Sequence, residues 1–311
     1  MTGPSRTDDD LAWWMALHAA PNVGDATFHR LLQKFATPRR ALTEASPDSL
    51  QGIAGADACL VDSLLFAAIR IDHTRKLLGT LRSRGVKVLT FEDSDYPARL
   101  HRLKWPPGLI YIAGEYDEQV DTCSAAVIGS THPSARAFRS AYRSAGALAA
   151  QGCTVVSGNA AGVDTAAHTG ALDAGGRTVF VLPTGILRFR PPQEVPTARI
   201  ERSAVVISDR PPEAPWETRG AILRNRITAA LSSFLLVVET EPDGGTMNTY
   251  QAARKLGIPA AVAVFGPDTP EGNRLALSEG AVAVKSVAEL LAFLANNRST
   301  QTGTQQLFDW P

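Results

Sequence analysis

Hydrophobic positions along this chain change their period once. From about Leu11 to Arg84 apolar residues recur at helix-like spacing: Leu11, Met15 and Leu17, then Phe28, Leu31, Leu32 and Phe35. Pro21-Asn22-Val23-Gly24 and Gly52-Ile53-Ala54-Gly55 interrupt that pattern as turns between helices. From Gly85-Val86-Lys87-Val88-Leu89-Thr90 onward, short apolar runs alternate with amphipathic stretches. The runs predict strands near 86–90, 109–112, 125–128, 154–157, 178–182, 204–208, 234–240, 260–265 and 281–284. The stretches between them predict helices at about 134–150, 163–174, 223–231, 246–256, 272–279 and 286–295. In the first of these helices Phe138, Ala141, Tyr142, Ala145 and Leu148 share a face, as in a helix covering a sheet. Continuous apolar strands joined by helical crossovers predict an α/β fold, a doubly wound, mostly parallel Rossmann-like sheet preceded by a small all-helical domain.

Three segments are expected on this pattern: a helical domain over 1–85, a Rossmann-like domain over 86–296 and a polar tail over 297–311. The tail ends in the apolar cluster Leu307-Phe308-Asp309-Trp310-Pro311, which suits either a docking peptide for a partner or an end folded back on its own domain. Thr184–Ala198, rich in proline and arginine, is expected to be a long surface loop.

Composition narrows the function classes. At 311 residues the chain suits about two domains, and 44% apolar residues provide for a substantial core. Lys+Arg and Asp+Glu are equal at 31 each, so any nucleic-acid surface has to come from local clustering rather than bulk charge. Cys59, Cys123 and Cys153 are scattered without paired spacing, and they are expected to be reduced core thiols rather than zinc ligands. Met1–Asp10 is polar, and no apolar run approaches the ~18 residues of a membrane span, so a soluble, cytoplasmic protein is expected. No metal or cofactor is implied.

The segment Ser157-Gly158-Asn159-Ala160-Ala161-Gly162-Val163-Asp164-Thr165-Ala166-Ala167-His168 follows the β-branched run Thr154, Val155, Val156 and leads into an alanine-rich helix. That order places small residues at a strand tip, where backbone N–H groups at a helix N-terminus favour an anion. Two similar junctions, at Gly129-Ser130 and at Asp243-Gly244-Gly245-Thr246, predict one phosphate-binding crevice lined by Gly129, Ser130, Ser157, Gly158, Gly162, Gly245 and Thr246. Arg224 and Arg226 flank Asn225 and suit bidentate phosphate contacts. Two residues apart on a helix they diverge by about 200°, so at most one of them is expected to enter the crevice, the other forming a structural ion pair. Asp164 and His168, four apart, share a helix face and are expected to form a hydrogen-bonded pair, structural rather than acid–base. Glu239 and Glu241, before the third junction, are candidate bases.

The order of several motifs resembles the DNA-processing protein A family (DprA, also called Smf). The matching pieces begin with Tyr96-Pro97, Pro106-Pro107-Gly108-Leu109-Ile110-Tyr111 and Val127-Ile128-Gly129-Ser130. Ser157-Gly158 through His168, Arg224-Asn225-Arg226-Ile227 and Gly272-Asn273-Arg274-Leu275 complete them. The helical N-terminal part is similar to the helix-hairpin-helix-like extra domain of many members. The resemblance implies single-stranded DNA binding, help in loading a RecA-type recombinase, homodimerisation and no catalysis. Thr131 and Ala161 depart from it, standing where the family usually has arginine, and Asn159 replaces an apolar residue. Arg136, Arg188, Arg190, Arg219 and Lys255 are the candidate replacements for the missing charge. Two further readings stay open: a regulatory partner that senses a nucleotide or DNA end or neutralises a toxin, and a nucleoside-monophosphate phosphoribohydrolase, whose glycine-threonine loop Gly244-Gly245-Thr246 resembles.

Overall fold

The computed structural model describes residues 6–53, 58–195 and 197–301. The tail cluster Leu307–Pro311 and the second half of the Gly52–Gly55 turn lie outside the described residues. The chain packs as two compact units. One comprises Met1–Glu115, Leu182–Phe189 and Val206–Gly220; the other comprises Tyr116–Val181, Arg190–Val205 and Ala221–Pro311.

In the first unit, α1 (Asp8–Ala19) begins at Thr7. The Thr7 hydroxyl accepts from the Asp10 backbone N–H, and the Asp10 carboxylate accepts from the Thr7 N–H, which closes a capping box. Every residue from Ala12 to Leu17 is buried, so this helix is central. Around it stand α2 (Asp25–Phe35), α3 (Pro38–Thr43), α4 (Ala58–Ile69) and α5 (Ile71–Ser83). The turn between α1 and α2 passes through Asn22 in the left-handed region, at φ 62°. Next, β1 (Val86–Thr90) pairs antiparallel with β2 (Leu109–Ala113). On its other side β2 pairs antiparallel with Val206–Ser208 of β6 (Ala204–Ser208).

The second unit is doubly wound. In chain order it runs β3 (Ser124–Ile128), α6 (Ala135–Ala150), β4 (Thr154–Ser157), α7 (Val163–Asp173), β5 (Thr178–Val181) and α8 (Thr197–Ser203). After β6 follow α9 (Thr218–Ala230), β7 (Phe234–Val237), α10 (Gly245–Lys255), β8 (Ala260–Ala263), α11 (Glu271–Ser278), β9 (Val282–Val284) and α12 (Val287–Gln301). Its parallel sheet has the order β5-β4-β3-β7-β8-β9. The strands are apolar on both faces, and their residues alternate between two cores as the pleat demands. Ala125 and Val127 of β3 pack with α6, α7 and α12, whereas Ala126 and Ile128 pack with α9, α10 and α11. From β3 the chain winds outward through β4 and β5, then returns to place β7 on the other flank of β3. The strand order therefore reverses between β3 and β7, where open α/β sheets form a crevice at the strand ends.

All nine expected strands are present, and two other expectations change. Within Thr184–Ala198, Ile186–Arg188 forms a 3-10 turn and α8 starts at Thr197. Cys123 and Cys153 are joined as a disulfide, with Cα atoms 4.8 Å apart, while Cys59 is an exposed free thiol. The expectation of three reduced core thiols is thus corrected. Each bridged cysteine precedes one of two adjacent strands, in register at Ser124 and Thr154. A sequence separation of 30 hides that proximity. No helix among the described residues is long and apolar enough to cross a membrane.

Helices α6 and α7 pack backbone to backbone. A Cβ on Gly170 meets the Tyr142 carbonyl oxygen at 2.2 Å, whereas a Cβ on Gly79, inside α5, meets nothing within 4 Å. Opposite signs are therefore expected in urea unfolding. Gly170→Ala lowers stability by on the order of 1–3 kcal/mol through overpacking. Gly79→Ala raises it by up to about 1 kcal/mol through helix propensity. Equal effects of the two substitutions contradict the α6–α7 packing.

Candidate functional site

The loops after β3, β4 and β7 leave the sheet side by side, because these strands are neighbours in the order β4-β3-β7. Glycine lets them approach. A Cβ at Gly129 falls 2.6 Å from the Val163 side chain, so its absence seats the start of α7 against the end of β3. Gly162 has φ 78°, and a Cβ there falls 2.5 Å from the Ser130 carbonyl oxygen and 2.7 Å from that of Thr131. The Val163 N–H then donates to the Ser130 carbonyl at 3.1 Å, tying the first loop to the second. Between the first and third loops, the Ser130 N–H donates to the Glu239 carbonyl at 2.8 Å.

Arg224 lies across the second loop. A Cβ on Gly158 falls 1.8 Å from its Nη1, so the guanidinium rests on bare backbone. The same Nη1 is 3.7 Å from Oδ2 of Asp164, and the two side chains are 11% and 7% exposed. Next to it, Asn225 donates from Nδ2 to the Gly245 carbonyl at 3.0 Å and ties α9 to the start of α10. Arg226 is half-buried. Of the expected lining, Gly129, Ser130 and Gly162 meet through the first two loops, and Gly158, Arg224, Asn225 and Gly245 through α9. Thr246 follows in the first turn of α10.

Several expected roles are corrected. The Ser157 hydroxyl is fully buried, 2.7 Å from the Val127 carbonyl oxygen and 2.9 Å from Oδ1 of Asp164, so it serves the scaffold. The Ser130 N–H is committed to Glu239, and the Ser130 hydroxyl accepts from the His132 N–H at 3.0 Å. Asp164 and His168 do not bond each other. Asp164 sits in the first turn of α7, so its carboxylate turns back to Ser157 and to the Ala160 N–H, 3.3 Å away. His168 lies one turn on, with Nε2 2.6 Å from the Gly158 carbonyl oxygen, Nδ1 2.6 Å from the Thr178 hydroxyl and its ring stacked on Phe180. The two residues brace the same loop independently. Glu239, a candidate base, accepts instead from the Ser134 N–H at 2.9 Å and from the Ser134 hydroxyl at 2.7 Å, at the start of α6.

Asn273 is a residue whose role the motif reading missed. Fully buried, it accepts from the Thr240 N–H and donates to the carbonyls of Val238 and Ala263, at 2.9, 2.8 and 2.9 Å. It fixes the third loop. The preceding Gly272 supplies the close approach, since a Cβ there falls 2.3 Å from the Thr240 carbonyl oxygen. The Gly-Asn pairing was the available signal, because a buried asparagine needs several partners.

Electrostatics divide the site into a neutral floor and a charged bridge. Burial pushes the His168 imidazole down to about 3. Burial also raises the Asp164 carboxyl, while Arg224 and the Ser157 hydroxyl act the other way. Above them the rim is open. Asn159 and Ala160 are half-exposed, Gly158 beneath Arg224 is buried, and Gly245 at the first turn of α10 is exposed, with no side chain capping that helix. Unsatisfied amides at such a helix start attract an anion. No cluster of three metal-ligating side chains occurs among the described residues.

Residues 87–295 match the family described as DNA recombination-mediator protein A. The chain belongs to that family. The Smf protein of Synechocystis is 28% identical over 305 residues, spanning 96% of this chain and 76% of its own length. A putative DNA processing protein DprA of Mycobacterium tuberculosis is 31% identical over 242 residues, or 73% of this chain and 62% of its own. Among solved structures, DprA of Streptococcus pneumoniae superposes with a TM-score of 0.72 at 22% identity, covering 93% of this chain and 98% of that one. This family membership places the three-loop crevice on a known fold. Thr131 and Ala161, expected as departures from the family, are exposed, and Arg224 is a cation that the fold holds against the buried Asp164.

Neutral burial of His168 has a pH signature. The unfolded chain binds a proton near the ordinary histidine value of about 6.5 while the folded chain does not, so stability is complete above that value and falls as pH drops toward about 3. The expected slope is up to about 1.4 kcal/mol per pH unit. A His168→Gln variant is less stable at pH 7 yet flatter by that amount between pH 6.5 and 4, read by chemical unfolding at each pH. Identical slopes in the two proteins contradict the buried neutral imidazole.

Proposed function

We propose that this protein binds single-stranded DNA as a mediator of recombination. The crevice over the ends of β3, β4 and β7 takes a backbone phosphate, contacted by Arg224 and by the amides at the uncapped start of α10 in the Gly244–Thr246 segment, with the half-exposed Asn159 and Ala160 at its edge. The observation that carries this reading is the Arg224 guanidinium laid on bare Gly158 beside Asp164, while its neighbour Asn225 bonds the uncapped start of α10. Arginine and helix-start amides together form a site for a planar, charged oxyanion. A Helicobacter pylori relative, DNA processing protein A, is described by its single-stranded DNA binding mode; it superposes with a TM-score of 0.59 at 22% identity. Gly129, Ser130, Ser157, Gly162, Asn225 and Thr246 shape the crevice in this reading. Our reading assigns no chemical step to the site, since Glu239 serves as a helix cap and His168 is sealed and neutral.

Gly245 allows a clean test. Its Cβ position is open, and a carboxylate in the first turn of a helix is favourable for the fold. The expected result is salt-sensitive binding of a labelled oligonucleotide by the wild type, with affinity in Gly245→Glu lowered on the order of tenfold. Unfolding of that variant is unchanged or slightly improved. Binding that ignores both salt and the new carboxylate overturns the proposal.

A further inference from the structure

Helix α6 starts at the crevice, where Glu239 holds Ser134, and its solvent face carries Arg136, Arg139 and Arg143. Spaced by three and four residues, these arginines line one stripe about 10 Å long. Facing them are Phe265 and the exposed Lys285 and Ser286, and together these groups bound a cavity of about 240 Å³. Four cations therefore border one groove in a chain whose charges balance overall at 31 and 31.

Internal carboxylates answer little of that charge. Arg136 donates to the Phe265 carbonyl and lies over the Phe265 ring, and its nearest acid, Asp268, is 3.8 Å away and 84% exposed. Glu289 accepts from the Lys285 backbone N–H rather than reaching across the groove. Among the described residues Arg139 and Arg143 enter no ion pair or hydrogen bond. Like charges one helical turn apart weaken a helix. The fold thus gains nothing from the stripe, which a bound anion would relieve. Along the next stripe of α6 stand Phe138 and Tyr142, which their spacing puts on the sheet-covering face but which are 40% and 37% exposed, with the Tyr142 hydroxyl donating to Asp173. Cations beside exposed aromatic rings suit a strand that offers phosphates and stacking bases together.

We infer that this face of α6, with Lys285 opposite, is a second phosphate-binding surface. It receives the sugar-phosphate backbone of a single strand as that strand leaves the crevice. The position of Arg136 makes it one of the replacements for the arginines absent at Thr131 and Ala161. This inference rests on the crevice reading, and the test separates the two.

Labelled oligonucleotides of two lengths, one short and one several times longer, are titrated against the full chain at a series of salt concentrations. The wild type is compared with the Arg139→Ala/Arg143→Ala double variant. Both substituted side chains are exposed, so thermal unfolding is expected to stay level or rise slightly. For the longer strand the variant loses on the order of tenfold in affinity, and its salt slope falls by about 1.4, at about 0.7 per lost phosphate contact. The short strand binds both proteins alike. An unchanged slope for the longer strand, in a protein whose binding still responds to Gly245→Glu, overturns this surface alone. Failure of the wild type to bind either strand sinks the crevice reading and this one together. A poly-glutamate peptide is titrated in parallel. Loss of peptide binding in the double variant, with the DNA slope intact, overturns the assignment in favour of an acidic protein partner.

Discussion

One buried carboxylate organises the functional edge of this protein. Asp164 sits in the first turn of α7, receives the Ser157 hydroxyl and the Ala160 N–H, and lies beside the Arg224 guanidinium. Removing charge from water is costly, and an ion pair recovers that cost only when hydrogen bonds complete it. Here they do, which fixes the loop after β4 and draws α9 over it. Because the pair is almost sealed, it gives geometry more than net stability. Gly158 has to be bare for Arg224 to lie there, and Gly162 has to be bare for the loops after β3 and β4 to meet.

Function follows from how charge is distributed. Arg224 is paired with Asp164, so in the proposed reading it would offer an oxyanion a fixed donor array rather than a full free charge. Such an array gives orientation. In that reading the electrostatic part of binding a polyanion comes from cations that the fold leaves without an ion pair, such as Arg139 and Arg143 on α6.

The α/β part of the fold was legible because its strands are buried on both faces. Apolar runs bounded by glycine turns mark such strands directly, and β4 runs over the expected 154–157. Helix α8 escaped notice because Thr197–Ser203 carries little apolar periodicity after a proline-rich stretch. The bridge between Cys123 and Cys153 was invisible because neighbouring parallel strands bring together residues that sequence spacing keeps apart. At the site, the glycines announced close approach but not which groups would fill it. Asp164 and His168 fit a four-residue pair on paper; in the fold, each is captured by a nearer partner on the β4 side. Asn273 was legible only as a motif member, since its three bonds depend on two strands and a loop meeting.

Hydrogen exchange with and without a bound oligonucleotide measures the central idea most directly. The account predicts that the strand slows exchange of amides in the Gly158–Gly162 and Gly244–Met247 segments, with the opposite ends of β3 and β4 unaffected. Protection confined to the helices of residues 8–83, with those two segments exchanging at their unliganded rates, contradicts it.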